Sequence, residues 1–195
     1  MGYTTDFEGH MELKQIEVKN TDGKGVNLNL TIEEVMTLVN GLAKTRRMCR
    51  DLSKISDENG MLNGVHYSEY GVEGEFYYNK DSECSGQDKD NSILDENKES
   101  KSQHGLWSHW TIGFYRAGMF LKEESYILEW DGGEKFYAYT EWLDYLNENI
   151  FKPNNIVMDG EIQWRGEDNE DMGKIISKDG VIKVYKAEIN WKERD

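Results

Sequence analysis

Basic residues, proline, cysteine and long apolar runs are all scarce in this chain, and each scarcity excludes something. Lys and Arg number 23 against 38 Asp and Glu, a formal net charge of −15. That balance argues against direct nucleic acid binding, where affinity comes from neutralising phosphates with cations. It suits a soluble protein, or one whose partner is basic. Cysteine occurs only at Cys49 and Cys84, in no paired pattern. With no apolar leader at the N-terminus, both are expected to be free thiols in a reducing cytoplasm. No apolar run approaches the ~20 residues of a membrane span, so no membrane association is expected. What is plentiful is aromatic surface. At 12% of 195 residues, Tyr, Trp and Phe must supply much of the area that a single substantial core buries.

The pattern along the chain predicts an α+β fold. Tyr3, Thr5 and Phe7, then Met11 and Leu13, alternate as in a half-buried strand. A polar turn and the short run VNLNL follow. Thr31 and Glu34 form a capping box, and Ile32, Val35, Met36, Val39 and Leu42 mark one face of a helix expected to end near Asp51. GEFYYN reads as a strand. The segment 80–104 is polar and charged, and it is expected to be a long, mobile, acidic loop. GLWSHWTIGFYRAG and ESYILEWDGG read as strands. A second helix is expected from Glu134 to Phe151, ended by Pro153, the only proline. The tail reads as further strands, with Asp179-Gly180 as a type I′ hairpin turn. The whole of 1–195 is expected to be a single α+β domain, an antiparallel sheet with two main helices packed on one face.

Several pieces of the chain in one order carry a family likeness: MGYTTDFEG, TRRMCRD, GQDKDNS, GLWSHW, EWDGGEKFYAYTEWLDYL and GEIQWRGED. Together they resemble a family of bacteriophage and prophage proteins that open Met-Gly-Tyr-Thr-Thr-Asp-Phe and carry Glu-Trp-Asp-Gly-Gly-Glu-Lys-Phe-Tyr. The resemblance implies a viral or prophage accessory protein acting in the bacterial host cytoplasm, and it implies no activity. The chain departs from the family pattern at LWSHW, where Leu-Trp-Cys-Gln-Trp is the norm. It also carries TIGFYRAGMFLKEESYI in place of a short turn.

Two groups of residues could form a ligand site. Arg46, Arg47 and Arg50 cluster where the first helix is expected to end. There they either complement the helix dipole or offer forked donors to a phosphate or carboxylate. The second group joins the aromatic residues Trp107, Trp110, Trp130 and Tyr137 with Glu129, Asp131 and Lys135, the last three on either side of the Gly132-Gly133 turn. Most of this aromatic mass reads as core, and an exposed Trp beside a carboxylate would suit a planar base or sugar. His66 and His109 each begin a His-x-Ser/Thr triplet, the signature of two-histidine phosphoesterases that use His for acid–base work. The run from Asp88 to Glu99 places acids at calcium-loop spacing but has Ile93 where the turn needs Gly. No metal site and no cofactor are expected.

Three functions are compatible with these features. The first is a non-catalytic binder that sequesters a small phosphorylated, nucleotide-type ligand and so antagonises host defence. The second is an acidic protein–protein inhibitor or DNA mimic that blocks a basic host protein. The third is a two-histidine-type phosphodiesterase. A homo-oligomer is compatible with each.

Overall fold

The computed structural model describes residues 2–16, 30–81, 90–118 and 123–190. Most of the VNLNL run, Cys84 and Asp88 lie outside them. The chain is built on a six-stranded antiparallel sheet in the order β10-β9-β8-β1-β7-β6. Its strands are β1 (Thr5–Gln15), β6 (Trp110–Tyr115), β7 (Ser125–Trp130), β8 (Ile156–Gly166), β9 (Met172–Lys178) and β10 (Val181–Lys186). Four further strands stand apart as two pairs: β2 (Met48–Arg50) pairs with β5 (Ile93–Glu99), and β3 (Met61–Leu62) pairs with β4 (Val65–His66).

Alternation decides which side of the sheet becomes core. Ile112, Leu128, Met11, Gly160, Ser177 and Ile182 form one register row across all six strands. The residues two positions away along each strand share that face. Phe7, Met11, Leu13, Trp110, Ile112, Leu128, Ile156, Met158, Ile162, Trp164 and Ile175 join one buried cluster from it. The same cluster takes Ile32, Val35, Val39 and Leu42 from helix α1 (Ile32–Ala43), and Trp142, Leu143, Tyr145 and Leu146 from helix α2 (Tyr139–Leu146). Gly160 makes the close strand approach feasible, because a Cβ there would sit 2.8 Å from Met11 Cα. Helix α1 also closes one sheet edge. The Asn40 side chain donates to Ile112 O at 2.8 Å and accepts from Ile112 N at 2.7 Å, in the manner of a neighbouring strand.

The expected capping box is present: Glu34 N donates to Thr31 Oγ1 at 3.3 Å, and Thr31 N to Glu34 Oε2 at 2.8 Å. The hairpin turn is also as expected, with positive φ at Asp179 (51°) and Gly180 (71°). Both helices are shorter than their periodicity suggests. The first ends at Ala43, where the Thr45 hydroxyl turns back to Gly41 O at 3.1 Å. The chain after it enters β2. The second starts five residues late, because Lys135 (φ 61°) and Ala138 (φ 52°) are left-handed while Phe136 is turned into the core. It then loosens into a π turn over Asn147–Phe151. GEFYYN forms no strand; Val72–Gly74 is a 3-10 turn and the residues after it are irregular. Within the expected loop, Ile93–Glu99 is a strand instead, since the apolar Met48 and Cys49 of β2 need a pairing partner to bury their backbone.

Phe7 touches four aromatic rings: Trp110, Trp130, Phe136 and Tyr139, with centroids 4.9–5.8 Å away. Truncating such a residue removes both transfer energy and packing. Phe7→Ala should therefore lower the unfolding free energy by about 3–5 kcal/mol, read from urea midpoints at constant slope.

Candidate functional site

The arginines do not share a helical face. Arg47 is 3% exposed. Its guanidinium donates to Thr45 Oγ1 at 2.7 Å, to Glu75 O at 2.5 Å and to Gly74 O at 3.4 Å. Burial lowers its pKa to about 9, which still leaves it cationic at neutral pH. Arg50, on β2, donates to Asp90 Oδ2 at 2.5 Å and Ser92 Oγ at 3.0 Å, and lies 5.6 Å from the Tyr77 ring centre. Arg46 is half-buried. Both deeply buried guanidiniums thus tie β2 to the segments around Gly74–Tyr77 and Asp90–Ser92.

The glycine turn organises a second group. Asp131 Oδ1 accepts from Gly133 N at 2.8 Å, and its two oxygens lie 3.1 and 3.3 Å from His109 Nδ1. A Cβ at Gly133 would sit 2.2 Å from that nitrogen, so only glycine lets the histidine reach the carboxylate. The Trp107 ring lies nearly parallel to the imidazole, 16° between planes and 6.5 Å between centres. Trp107, His109 and Asp131 therefore come together. Trp110 does not join them: it is fully buried, and its indole N–H donates to Tyr139 O at 2.9 Å. Glu129 points to the other sheet face, where it accepts from the Tyr115 hydroxyl at 2.5 Å and so raises that phenol's pKa. Lys135 and Tyr137 are exposed. His66 is a separate feature. It caps the 3-10 turn Tyr67–Tyr70, with Nδ1 2.7 Å from Ser68 Oγ, and stacks on Tyr67. Among the described residues no group of three or more His, Cys, Asp or Glu is placed to hold a metal.

A groove that sequence reasoning missed lies on the face of the sheet opposite the buried cluster. Two register rows form it. One runs Glu8, Gln163, Lys174, Tyr185, and the other Asp6, Arg165, Met172, with Ala187 N bonded to Met172 O at 2.8 Å. These side chains, with Lys186 on the rim, line a cavity of about 670 Å³, within the size range of small-molecule sites. Carboxylates stand on β1, cations on β8 and β9, and an aromatic ring on β10. Lys174 is held by Glu161 at 3.1 Å, whereas the Arg165 guanidinium has no ion pair among the described residues. The signal was present as polar positions alternating with core residues in QWRG, MGKI and VYKA. Alternation names the outward residues of each strand but not which strands are neighbours.

Compared with known proteins, the chain matches no family model, no curated protein and no solved structure. Among the described residues no helix is long and apolar enough to cross a membrane.

The Arg50–Asp90 pair carries a pH signature. Desolvation pushes the Asp90 pKa up, but the hydrogen bonds from Ser92 and the charge of Arg50 outweigh it and hold the pKa below its ordinary value. A folded pKa below the unfolded one stabilises the fold above the carboxylate range, and that contribution is lost as pH falls through the folded pKa. Asp90→Asn should thus lower the urea midpoint at neutral pH, with the gap to the parent protein closing as the solution is made acidic.

Proposed function

We propose that this protein binds, without turning over, a small phosphorylated ligand of nucleotide type, and that the outer-face groove is where it binds. One observation carries the reading. In a chain of net charge −15, Arg165, Lys174 and Lys186 converge with the Tyr185 ring and the Asp6 and Glu8 carboxylates around one cavity. A free guanidinium offers a fork that matches phosphate oxygens. An exposed Tyr face accepts a stacked base, an interaction worth about 1–3 kcal/mol. Carboxylates and Gln163 then accept hydrogen bonds from the amino and hydroxyl groups that a nucleoside presents. In this reading the chain is one domain whose two helices shield one sheet face and leave the other for the ligand. The family resemblance adds a setting: a phage or prophage protein in a bacterial cytoplasm that withholds a nucleotide signal from host defence.

A second reading, docking of a basic host protein on the same open face, is favoured by Glu12 standing directly opposite Asp159, where Lys14, 3.9 Å from Glu12, is the one cation in an ion pair with either carboxylate among the described residues. Like charges across a strand pair are destabilising unless something neutralises them.

Titration calorimetry with cyclic and ADP-ribose nucleotides separates the two. A charge-assisted hydrogen bond is worth about 1.5–3 kcal/mol. Arg165→Ala should therefore weaken nucleotide binding roughly tenfold to a hundredfold at ~1.4 kcal/mol per decade, while Glu12→Gln leaves it unchanged. Binding of no nucleotide, together with loss of a captured basic protein in Glu12→Gln, supports the docking reading instead. Turnover of a phosphodiester that His109→Ala abolishes would overturn both.

A further inference from the structure

The two edges of the main sheet are treated differently. At β6 the Asn40 side chain occupies the backbone of Ile112. At the opposite edge, β10 pairs among the described residues with β9 alone. Val181 faces Lys178 across the two-residue turn, and Ala187 N bonds Met172 O. In an antiparallel ladder the bonded pairs alternate with unbonded ones. The amides and carbonyls of Val181, Lys183 and Tyr185 are therefore directed at β9, and those of Ile182, Val184 and Lys186 away from it. This edge has no proline, glycine or bulge, and Lys183 and Lys186 are the only blunting devices it carries. Four of its six side chains are apolar, and among the described residues Val181, Val184 and Tyr185 are left exposed by 59%, 50% and 46%.

Charge says what kind of strand fits. Between Met172 and Lys186 the chain carries Lys174, Lys178, Lys183 and Lys186 against Asp179 alone, a local charge of +3 in a molecule of −15. Neither Lys183 nor Lys186 has a carboxylate partner among the described residues. Lysines on an edge discourage pairing between two copies of the same chain, and the same lysines attract a strand of opposite charge.

We infer that the free edge of β10 is a docking edge for an extended acidic segment of another protein, added as a seventh strand of the sheet. Main-chain bonds to Ile182, Val184 and Lys186 supply the affinity, as in other strand additions. Apolar residues of the guest lie on the side of Ile182 and Val184, and its carboxylates on the side of Lys183. The edge shares Tyr185 and Lys186 with the nucleotide groove, but Ile182, Lys183 and Val184, which carry the inference, do not line that cavity.

The probe is a labelled peptide of alternating Glu and Val, about six residues long to match a typical strand. It is titrated into isotope-labelled full-length protein by NMR and followed by fluorescence anisotropy. The expected result is shifted, slowly exchanging amides at Ile182, Val184 and Lys186, with those of Val181, Lys183 and Tyr185 still protected by β9. Val184→Pro removes one outward donor at a position where an edge strand tolerates proline, and it should weaken binding at least about tenfold. Lys183→Glu should weaken the Glu–Val peptide and favour a Lys–Val one, a result that does not depend on Val184→Pro folding. The inference is overturned if the peptide fails to bind the parent protein, if its shifts fall elsewhere, or if Lys183→Glu leaves peptide preference unchanged. Sedimentation showing a parent dimer that Val184→Pro dissociates would also overturn it, since the guest would then be a second copy.

Discussion

The contact on which most of this structure depends is Phe7 among the rings of Trp110, Trp130, Phe136 and Tyr139. It gathers β1, β6, β7 and the entry to α2 at one point, so residues far apart in sequence are fixed together. A core poor in aliphatic side chains needs such large rings, because each buries a great deal of apolar area in a shape that interlocks with its neighbours. Bringing Phe136 to that point has a cost. Lys135 and Ala138 must adopt left-handed backbone, and α2 loses its first turn. The conformational strain is of order 1–3 kcal/mol per residue, and it persists only because the surrounding packing over-determines it.

The same geometry explains why the glycine turn carries so much charge. Asp131 closes the turn through Gly133 N and also holds His109, while Trp130 donates to Gly133 O at 3.1 Å. The carboxylate is thus an organiser of the turn, and Trp107 lies over the histidine that it positions. Mixed charge and aromatic character in this stretch follows from a turn that must satisfy its own backbone beside a hydrophobic cluster.

Positive charge is distributed unevenly in this acidic chain. Two arginines, Arg47 and Arg50, are buried, where they satisfy carbonyls and a carboxylate from two separate segments. Guanidinium suits that work because its planar fork carries several donors at once. Among the surface cations, Arg165, Lys174, Lys178, Lys183 and Lys186 stand together on β8, β9 and β10, around the groove and along the edge, while others such as Lys14, Lys54, Lys98 and Lys152 are scattered over the rest of the surface. In an acidic molecule such a local group of cations attracts anionic partners.

Local features were legible in the sequence. The capping box at Thr31 and Glu34, the Asp179-Gly180 turn and the alternation of β1 are each set within a few residues by hydrogen-bonding groups and side-chain period, and the α+β mixture of sheet and two helices follows from them. Where the chain's own local preference met a distant demand, the tertiary structure decided. The first helix stops at Ala43 because β5, about fifty residues later, pairs with the segment that follows it. The second starts late because Phe136 is needed by Phe7. Arg47 and Arg50 became internal struts instead of a helix-end cluster because the carbonyls and carboxylate that need them come from elsewhere in the chain. The groove could not be seen in one dimension, for the same reason. Asp6, Arg165, Met172 and Tyr185 are ordinary outward positions on four strands, and only the strand order β10-β9-β8-β1 places them side by side.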